Sequence, residues 1–351
     1  MSSSKLSVGI VGLPNVGKST LFNAISGLQV EAANYPFATI EPNVGVVTVP
    51  EPRLDVLARI EKSKKTVPTV IEFKDIAGLV AGAHKGEGLG NQFLAHVREV
   101  DAIVEVVRFF EDKNITHVSG NVDPKRDIET IETELILADL QLVEKKNENF
   151  KKSARSGKHE DIVKAALAQK YFDALSAGRL ASSVSITEEE QKFMFEFPFL
   201  TNKPILYVAN VKSGETAPDN FLALDAQIES EIAQITENER KHYLKELGLA
   251  ESGLDRLIKA AYQTLGLQTF FTAGEQETRA WTITKGDKTP QAAGKIHTDF
   301  EKGFIKADVV AYDKFVEAPG WVKAREKGWA RSEGKEYVVQ DGDIMLFKFN
   351  V

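Results

Sequence analysis

The chain contains no cysteine in its 351 residues, which excludes disulfides and thiolate metal centres. It also lacks a long hydrophobic run. The strongest apolar stretch, Ala102 to Phe110, is short and carries Glu105 and Arg108, so no membrane span is expected. Met1-Ser2-Ser3-Ser4-Lys5 has no apolar core of an export signal, and the expected location is the cytoplasm. There is no basic excess: the formal net charge is −7. That argues against a wholesale nucleic-acid binder and leaves room for a local basic patch. What is present, 42% hydrophobic and 27% charged residues, is the composition of a soluble globular protein. The length exceeds one ordinary core, so two or three domains are expected.

Gly12-Leu13-Pro14-Asn15-Val16-Gly17-Lys18-Ser19 fits the phosphate-loop pattern G-x-x-x-x-G-K-[ST] at every fixed position. Leu6 to Val11 before it reads as a buried strand, and Thr20 to Ile25 after it reads as the start of a helix. A strand, a glycine loop and a helix N-terminus aim backbone N–H groups and the positive helix end at one spot, where a triphosphate fits. Gly12, Asn15, Val16, Gly17 and Thr20 belong to that cradle. Lys18 is expected at the β- and γ-phosphates and the Ser19 hydroxyl on Mg²⁺.

A second element narrows the class. Val70 to Asp75 alternates like a strand and ends in Asp75-Ile76-Ala77-Gly78, the D-x-x-G of switch GTPases. Asp75 is expected to hold Mg²⁺ through a water, and the Gly78 N–H to meet the γ-phosphate. Between the two motifs, Asn34 to Asn43 reads as a loop, with Thr39 the candidate metal-binding threonine of a first switch. The glycine-rich stretch from Gly78 to Gly90 suits a second switch. Leu79 stands where Ras-like proteins carry a water-positioning glutamine, and a leucine cannot orient water. His84 is the nearest group able to accept a proton, and is the catalytic candidate beside Lys18.

Pro204 to Ala209 reads as the strand before the base-recognition segment, Asn210-Val211-Lys212-Ser213. Switch GTPases use N-K-x-D there, the aspartate accepting two hydrogen bonds from guanine. Val211 and Ser213 replace the two guanine-reading positions, so ATP is favoured over GTP. Asn210 is expected to bond N6 and N7 of adenine. Leu222 to Gln227 lies where a last base loop belongs, though a plain strand-to-helix turn explains it almost as well.

The gap between the strand Asp101 to Arg108 and the strand near Pro204 is too long for one crossover and must hold an insertion. Apolar spacing predicts one helix over Ile128 to Val143 and a second through Ile162 and Leu175, separated by a polar break from Glu144 to His159. The resulting tip carries Lys145, Lys146, Lys151, Lys152, Arg155 and Lys158, either a solvated helix end or a contact to RNA phosphates. From Leu267 onward, Thr269 to Thr272, Arg279 to Ile283, Tyr337 to Val339 and Met345 to Phe349 look like strands, and Ile296 to Gly303 like a helix. No phosphate or metal constellation appears in this segment, which reads as an interaction module.

These features together resemble the YchF/Obg-like ATPase family, a branch of the Obg-related P-loop proteins. The stretches that carry the resemblance are Gly12 to Thr20, Asn34 to Asn43, Asp75 to Leu79 with Gly86 to Asn91, and Phe271 to Gly274 with Arg279 to Thr282. It covers essentially the whole chain. It implies an α/β fold: a P-loop G domain with a doubly wound, mostly parallel sheet over 1–125 and 200–266, a helical coiled-coil insertion over 126–199, and a C-terminal TGS domain of ubiquitin-like β-grasp fold over 267–351. It also implies ATP hydrolysis and ribosome association. The expected ligands are ATP and ADP, with slow turnover because Leu79 replaces the glutamine, and the expected form is a monomer that binds the ribosome or its large subunit. The family's metal-binding Ser and Thr fall on Ser19 and Thr39, its adenine-contacting segment on Asn210 and Val211, and its proposed catalytic histidine on His84. Asn15 matches the position where potassium-stimulated relatives bind K⁺. One departure stands out: the family's N-x-x-E at the base site reads Asn210-Val211-Lys212-Ser213 here, with Glu215 two residues later.

Two functional classes stay open on the sequence: an ATPase switch, and a binding module for which nucleotide is a structural ligand. A small-molecule kinase is disfavoured, because no acceptor site or arginine-rich lid is recognisable.

Overall fold

A computed structural model of the chain describes residues 6–28, 43–78, 89–112, 114–118 and 120–350. The first part runs β1 (Ser7–Val11), α1 (Lys18–Gly27), β2 (Val44–Thr48), α2 (Pro52–Glu61), β3 (Thr66–Val67), β4 (Val70–Asp75), α3 (Leu89–Glu99) and β5 (Ala102–Arg108). A helical arm follows, with α4 (Pro124–Ala154), α5 (His159–Ser176) and the short α6 (Glu188–Gln191). The chain then returns through β6 (Ile205–Asn210), β7 (Leu222–Leu224), α7 (Ala226–Ile232), α8 (Glu237–Glu246) and α9 (Gly253–Thr264). Among the described residues these strands form a six-stranded sheet in the order β2-β4-β1-β5-β6-β7, parallel except for the edge strand β2. β1 and β5 are buried along their whole length, as expected of strands covered on both faces. The core sits between the sheet and Leu21 and Ile25 of α1, Phe93 and Val97 of α3, and Leu257 and Ala261 of α9. Parallel strands put their carboxyl ends on one edge, where ligands of open α/β sheets bind.

In the arm, α4 starts at Asp123, whose carboxylate accepts from the Arg126 N–H at 3.2 Å, and Pro124 occupies its first turn. The polar break expected at Glu144 to His159 is mostly absent. α4 runs on to Ala154, and only residues 155–158 turn the chain. The reason is that Val143, Asn147 and Phe150 continue the inward stripe at helical spacing, while the charged residues between them, all but Lys146 exposed, are good helix formers. α4 and α5 share a core of Ile136, Val143, Leu167, Tyr171 and Leu175 with Phe197 and Phe199. The buried Asp139 ties the arm to the returning chain, accepting from the N–H groups of Leu200 at 2.9 Å and Thr201 at 2.8 Å.

The C-terminal part comprises β8 (Leu267–Thr272), β9 (Thr278–Thr284), α10 (Thr289–Ile296), α11 (Thr298–Lys302), β10 (Phe304–Val310), α12 (Tyr312–Glu317), α13 (Trp321–Glu326), β11 (Arg331–Glu333) and β12 (Ile344–Phe349). The described strands order as β11-β10-β12-β8-β9-β3. The edge strand β3 therefore comes from the first part of the chain, pairing Thr66 with Thr278 and Val67 with Arg279. Leu54 and Leu57 of α2 join the same core as Phe271, Phe315 and Ile344. Arg53 reaches the Asp341 carboxylate at 2.7 Å, and the Ser63 hydroxyl donates to the Gly274 carbonyl at 2.8 Å.

Two expectations in this part are corrected. The helix read over Ile296 to Gly303 is broken, because His297 is extended and its ring caps α11 by accepting from the Asp299 N–H at 3.2 Å. Tyr337 to Val339 makes only an isolated bridge, between Val338 and Lys288.

Candidate nucleotide-binding site

The loop between β1 and α1 is shaped by residues with little freedom of choice. A Cβ on Gly12 would lie 2.8 Å from the Val106 carbonyl oxygen. Gly17 has φ +97°, and a Cβ there would strike the Asn210 amide, so only glycine fits. Asn15 is left-handed at φ 64°, which asparagine tolerates. α1 then begins without a side-chain cap and without an acidic residue in its first turn. Its first N–H groups and its positive end are thus left for an anion.

Lys18 opens α1, and its ammonium forms an ion pair with the Asp75 carboxylate at the end of β4. The Asp75 N–H donates to the Asn43 carbonyl at 2.9 Å and the Ile76 N–H to the Ile10 carbonyl at 3.1 Å, which carries the D-x-x-G segment alongside the phosphate loop. A Cβ on Gly78 would stand 3.5 Å from the Gly12 carbonyl oxygen, so this glycine rides directly over the loop. Ser19 is exposed beside the pair. Lys18, Ser19, Asp75 and Gly78 therefore meet at one place. Thr39, Leu79 and His84 lie outside the described residues.

The donor set there suits magnesium. Among the described residues no group of three or more His, Cys, Asp or Glu side chains could hold a metal. A hydroxyl and a carboxylate at a phosphate cradle are what Mg²⁺ uses, since it keeps several waters and takes phosphate oxygens as further ligands.

Next to the phosphate loop lies a cavity of about 510 Å³. Its walls come from Asn15, Gly17 and Thr20 on one side, Asn210, Val211 and Lys212 after β6, and Asp225, Ala226 and Gln227 at the start of α7. Asn210 is 4% exposed. Its Nδ2 donates to the Val16 carbonyl at 2.9 Å, and its Oδ1 accepts from the Ala226 N–H at 3.0 Å. The residue read as an adenine contact is first a brace that joins the phosphate loop to the base-site turn. One amide hydrogen and one lone pair remain for a ligand. Val211 is buried against the cavity and donates its N–H to the Leu224 carbonyl at 3.0 Å. Asp225 caps α7, accepting from the N–H groups of Gln227 and Ile228 at 3.0 and 3.2 Å. Glu215 accepts from the Lys212 N–H at 3.0 Å, so its carboxylate closes the turn after the base segment. The Asn15 amide donates to the Thr116 carbonyl at 3.0 Å.

The remaining wall is one that the sequence reading missed. Phe110, Asp112 and Ile115, from the loop after β5, face the cavity. The available signal was positional: a polar-aromatic segment following a buried central strand at the sheet's carboxyl edge.

Two family models match the chain. One, described as the 50S ribosome-binding GTPase MMR_HSR1, covers residues 7–155. The other, YchF-GTPase_C, described as a protein of unknown function, covers residues 267–350. Similar curated proteins include the "Ribosome-binding ATPase YchF" of Bacillus subtilis, 54% identical over 99% of this chain and 100% of that protein. The protein of the same name from Escherichia coli O157:H7 is 50% identical over 98% of this chain and 99% of its own. Among solved structures, the Schizosaccharomyces pombe YchF GTPase superposes with a TM-score of 0.86 at 37% identity, covering 99% of both chains. With likeness running end to end, through the phosphate loop, the arm and the C-terminal sheet alike, the chain belongs to the YchF family.

Proposed function

We propose that the protein is a magnesium-dependent ATPase that works as a slow nucleotide switch and binds the ribosome in the cytoplasm as a monomer. The observation that carries this is the meeting of Lys18, Ser19, Asp75 and Gly78 at the start of α1, beside a cavity whose base segment lacks the guanine-reading side chains. Lys18 binds the β- and γ-phosphates, exchanging its ion pair with Asp75 for the ligand's charge. Ser19 and Asp75 would hold Mg²⁺, with Thr39 added when the γ-phosphate is present. The ion, when bound, neutralises charge that develops on the phosphoryl oxygens. The Gly78 N–H orients the γ-phosphate, and His84 orients or deprotonates the attacking water. Val211 gives the base an apolar contact, and Asn210 offers its remaining N–H and lone pair to adenine. Asn15 is the residue through which K⁺ would act.

Phosphate release by the purified protein, with ATP and with GTP, tests the reading. ATP turnover that falls in a His84→Ala variant with unchanged ATP affinity supports it. Equal or tighter binding of GTP would refute the preference. Absence of hydrolysis beside tight ATP binding would leave the second reading, a nucleotide-regulated ribosome-binding module.

The arm supplies the ribosome contact in this proposal. Lys145, Lys151, Lys152, Arg155 and Lys158 are exposed at its tip, whereas Lys146 is half-buried with its ammonium 5.9 Å from the Phe150 ring centre. Replacing Lys145, Lys146, Lys151, Lys152 and Arg155 with Gln should weaken co-sedimentation with ribosomes and flatten its salt dependence, with ATP hydrolysis unchanged. Unchanged co-sedimentation would move the contact to the C-terminal domain.

A further inference from the structure

Among the described residues, the cavity wall formed by Phe110, Asp112 and Ile115 has no strand or helix to hold it, yet it faces the site where a base would lie. Two cations grip it. Arg108, the last residue of β5, is 1% exposed and heads the largest fully buried side chains. Its guanidinium donates to the carbonyls of Phe110 at 2.9 Å, Ile115 at 3.1 Å and Asp112 at 3.4 Å, and sits 4.5 Å from the Phe110 ring centre. Among the described residues no carboxylate pairs with it, so the loop's own carbonyls solvate this charge. From the other side Lys212, within the base segment itself, donates to the Glu111 carbonyl at 3.0 Å and lies 3.8 Å from the Asp112 carboxylate. A planar guanidinium can satisfy several carbonyls in a set geometry, which a point charge cannot.

We infer that Arg108 and Lys212 are positioning residues that clamp Phe110, Asp112 and Ile115 as one wall of the base pocket, and so set affinity for the base of a purine nucleotide rather than for its phosphates. The inference rests on the nucleotide site proposed above. Arg108 touches no position assigned to phosphate or metal. Its loss would leave three loop carbonyls without their buried donor and let Phe110 move away from the cavity. The charge cluster at the phosphate loop, Lys18 with Asp75, would be untouched.

The test compares Mg-ATP with Mg-tripolyphosphate, a ligand without a base, by calorimetric titration of the full-length protein. Arg108→Met should weaken ATP binding roughly tenfold to hundredfold while tripolyphosphate binds as before. KM for ATP should rise with kcat at saturating ATP unchanged. Arg108→Lys, which keeps the charge without the fork, should recover part of the loss. Lys212→Met, at an exposed position, should weaken ATP selectively by a smaller factor, and it carries the test if Arg108→Met does not fold. Equal loss of both ligands in the folded variants would overturn the inference, as would unchanged ATP affinity in Lys212→Met with Arg108→Met unfolded or unchanged. If the unmodified protein binds tripolyphosphate as tightly as ATP, the base pocket itself fails, and the clamp fails with it.

Discussion

The Lys18 ammonium and the Asp75 carboxylate form an ion pair that joins the first turn of α1 to the end of β4. Their side chains are only 11% and 21% exposed. In the function proposed above, a triphosphate and its cation would take these two charges apart, the phosphates claiming the lysine and the metal claiming the carboxylate. On that proposal the pair would hold both binding charges in place before any ligand arrives, while competing with it.

Asp75→Asn separates those roles. Without the competing carboxylate, ATP affinity in the presence of a chelator should rise about two- to fivefold, the worth of a partly exposed ion pair. The increment that magnesium adds should shrink. Titrations with and without Mg²⁺ measure both quantities. An undiminished magnesium increment would mean that Asp75 has no part in holding the metal.

Lys18→Ala and Ser19→Ala should differ in kind. Loss of the lysine should weaken ATP roughly tenfold to hundredfold, whether or not magnesium is present. Loss of the hydroxyl should matter only when magnesium is present. Binding curves for ATP at several Mg²⁺ concentrations distinguish the two patterns, and identical patterns would remove Ser19 from the metal site.

Asn210→Ala should damage the loop as well as the ligand contact. It strands the Val16 carbonyl and the Ala226 N–H, both held at hydrogen-bond distance by the buried amide. An unsatisfied buried group costs about 1–3 kcal/mol, so the melting temperature should fall by several degrees and ATP affinity should fall with it. A variant that melts like the unmodified protein would show that the brace is dispensable.

Glu105 predicts a pH dependence. It lies in the middle of β5, 1% exposed, and among the described residues neither carboxylate oxygen has a hydrogen-bond partner. Burial, then Glu132 and Asp127, holds its carboxyl well above the ordinary value of 4.5. The native state keeps a proton that the unfolded chain releases, so this contribution is full below about pH 4.5 and declines as pH rises toward the folded value. Glu105→Gln should therefore melt a few degrees higher than the unmodified protein at pH 8, with the gap closing toward pH 5. Parallel melting curves across that range would show that the carboxylate is compensated.

The phosphate loop was legible in the sequence because backbone geometry there demands glycine at Gly12 and Gly17, and these glycines stand at fixed spacing before Lys18. Asp75 and Gly78 were legible as a D-x-x-G segment at the end of a strand, and the structure sets that segment beside the loop. Asn210 was legible as a position but not as a brace, since its partners Val16 and Ala226 are far away in the chain. The cavity wall at Phe110 depends on Arg108 folding back onto its own loop, a tertiary event without a spacing pattern. In the C-terminal part, β10 escaped because Ile305 and Lys306 are both exposed and the register slips between Phe304 and Lys306, which breaks the alternation that marks a strand. Residues between Val143 and Ala154 misled in the opposite sense: polarity was read as a loop where it was the wet face of a long helix.

The excursion of α2 and β3 into the C-terminal sheet makes cooperativity a property of the whole chain. Cutting the polypeptide at Gly266 would uncover Leu54 and Leu57, buried with Phe271 and Phe315, and would leave β3 without a neighbour. Such a fragment would present the apolar face of α2 and an unpaired strand edge to solvent, a recipe for self-association. The two sheets should melt together in one calorimetric transition, with neither persisting once the other is lost. A chain built this way cannot be trimmed into separate modules without exposing part of its interior, because the first part supplies core residues and an edge strand to the second.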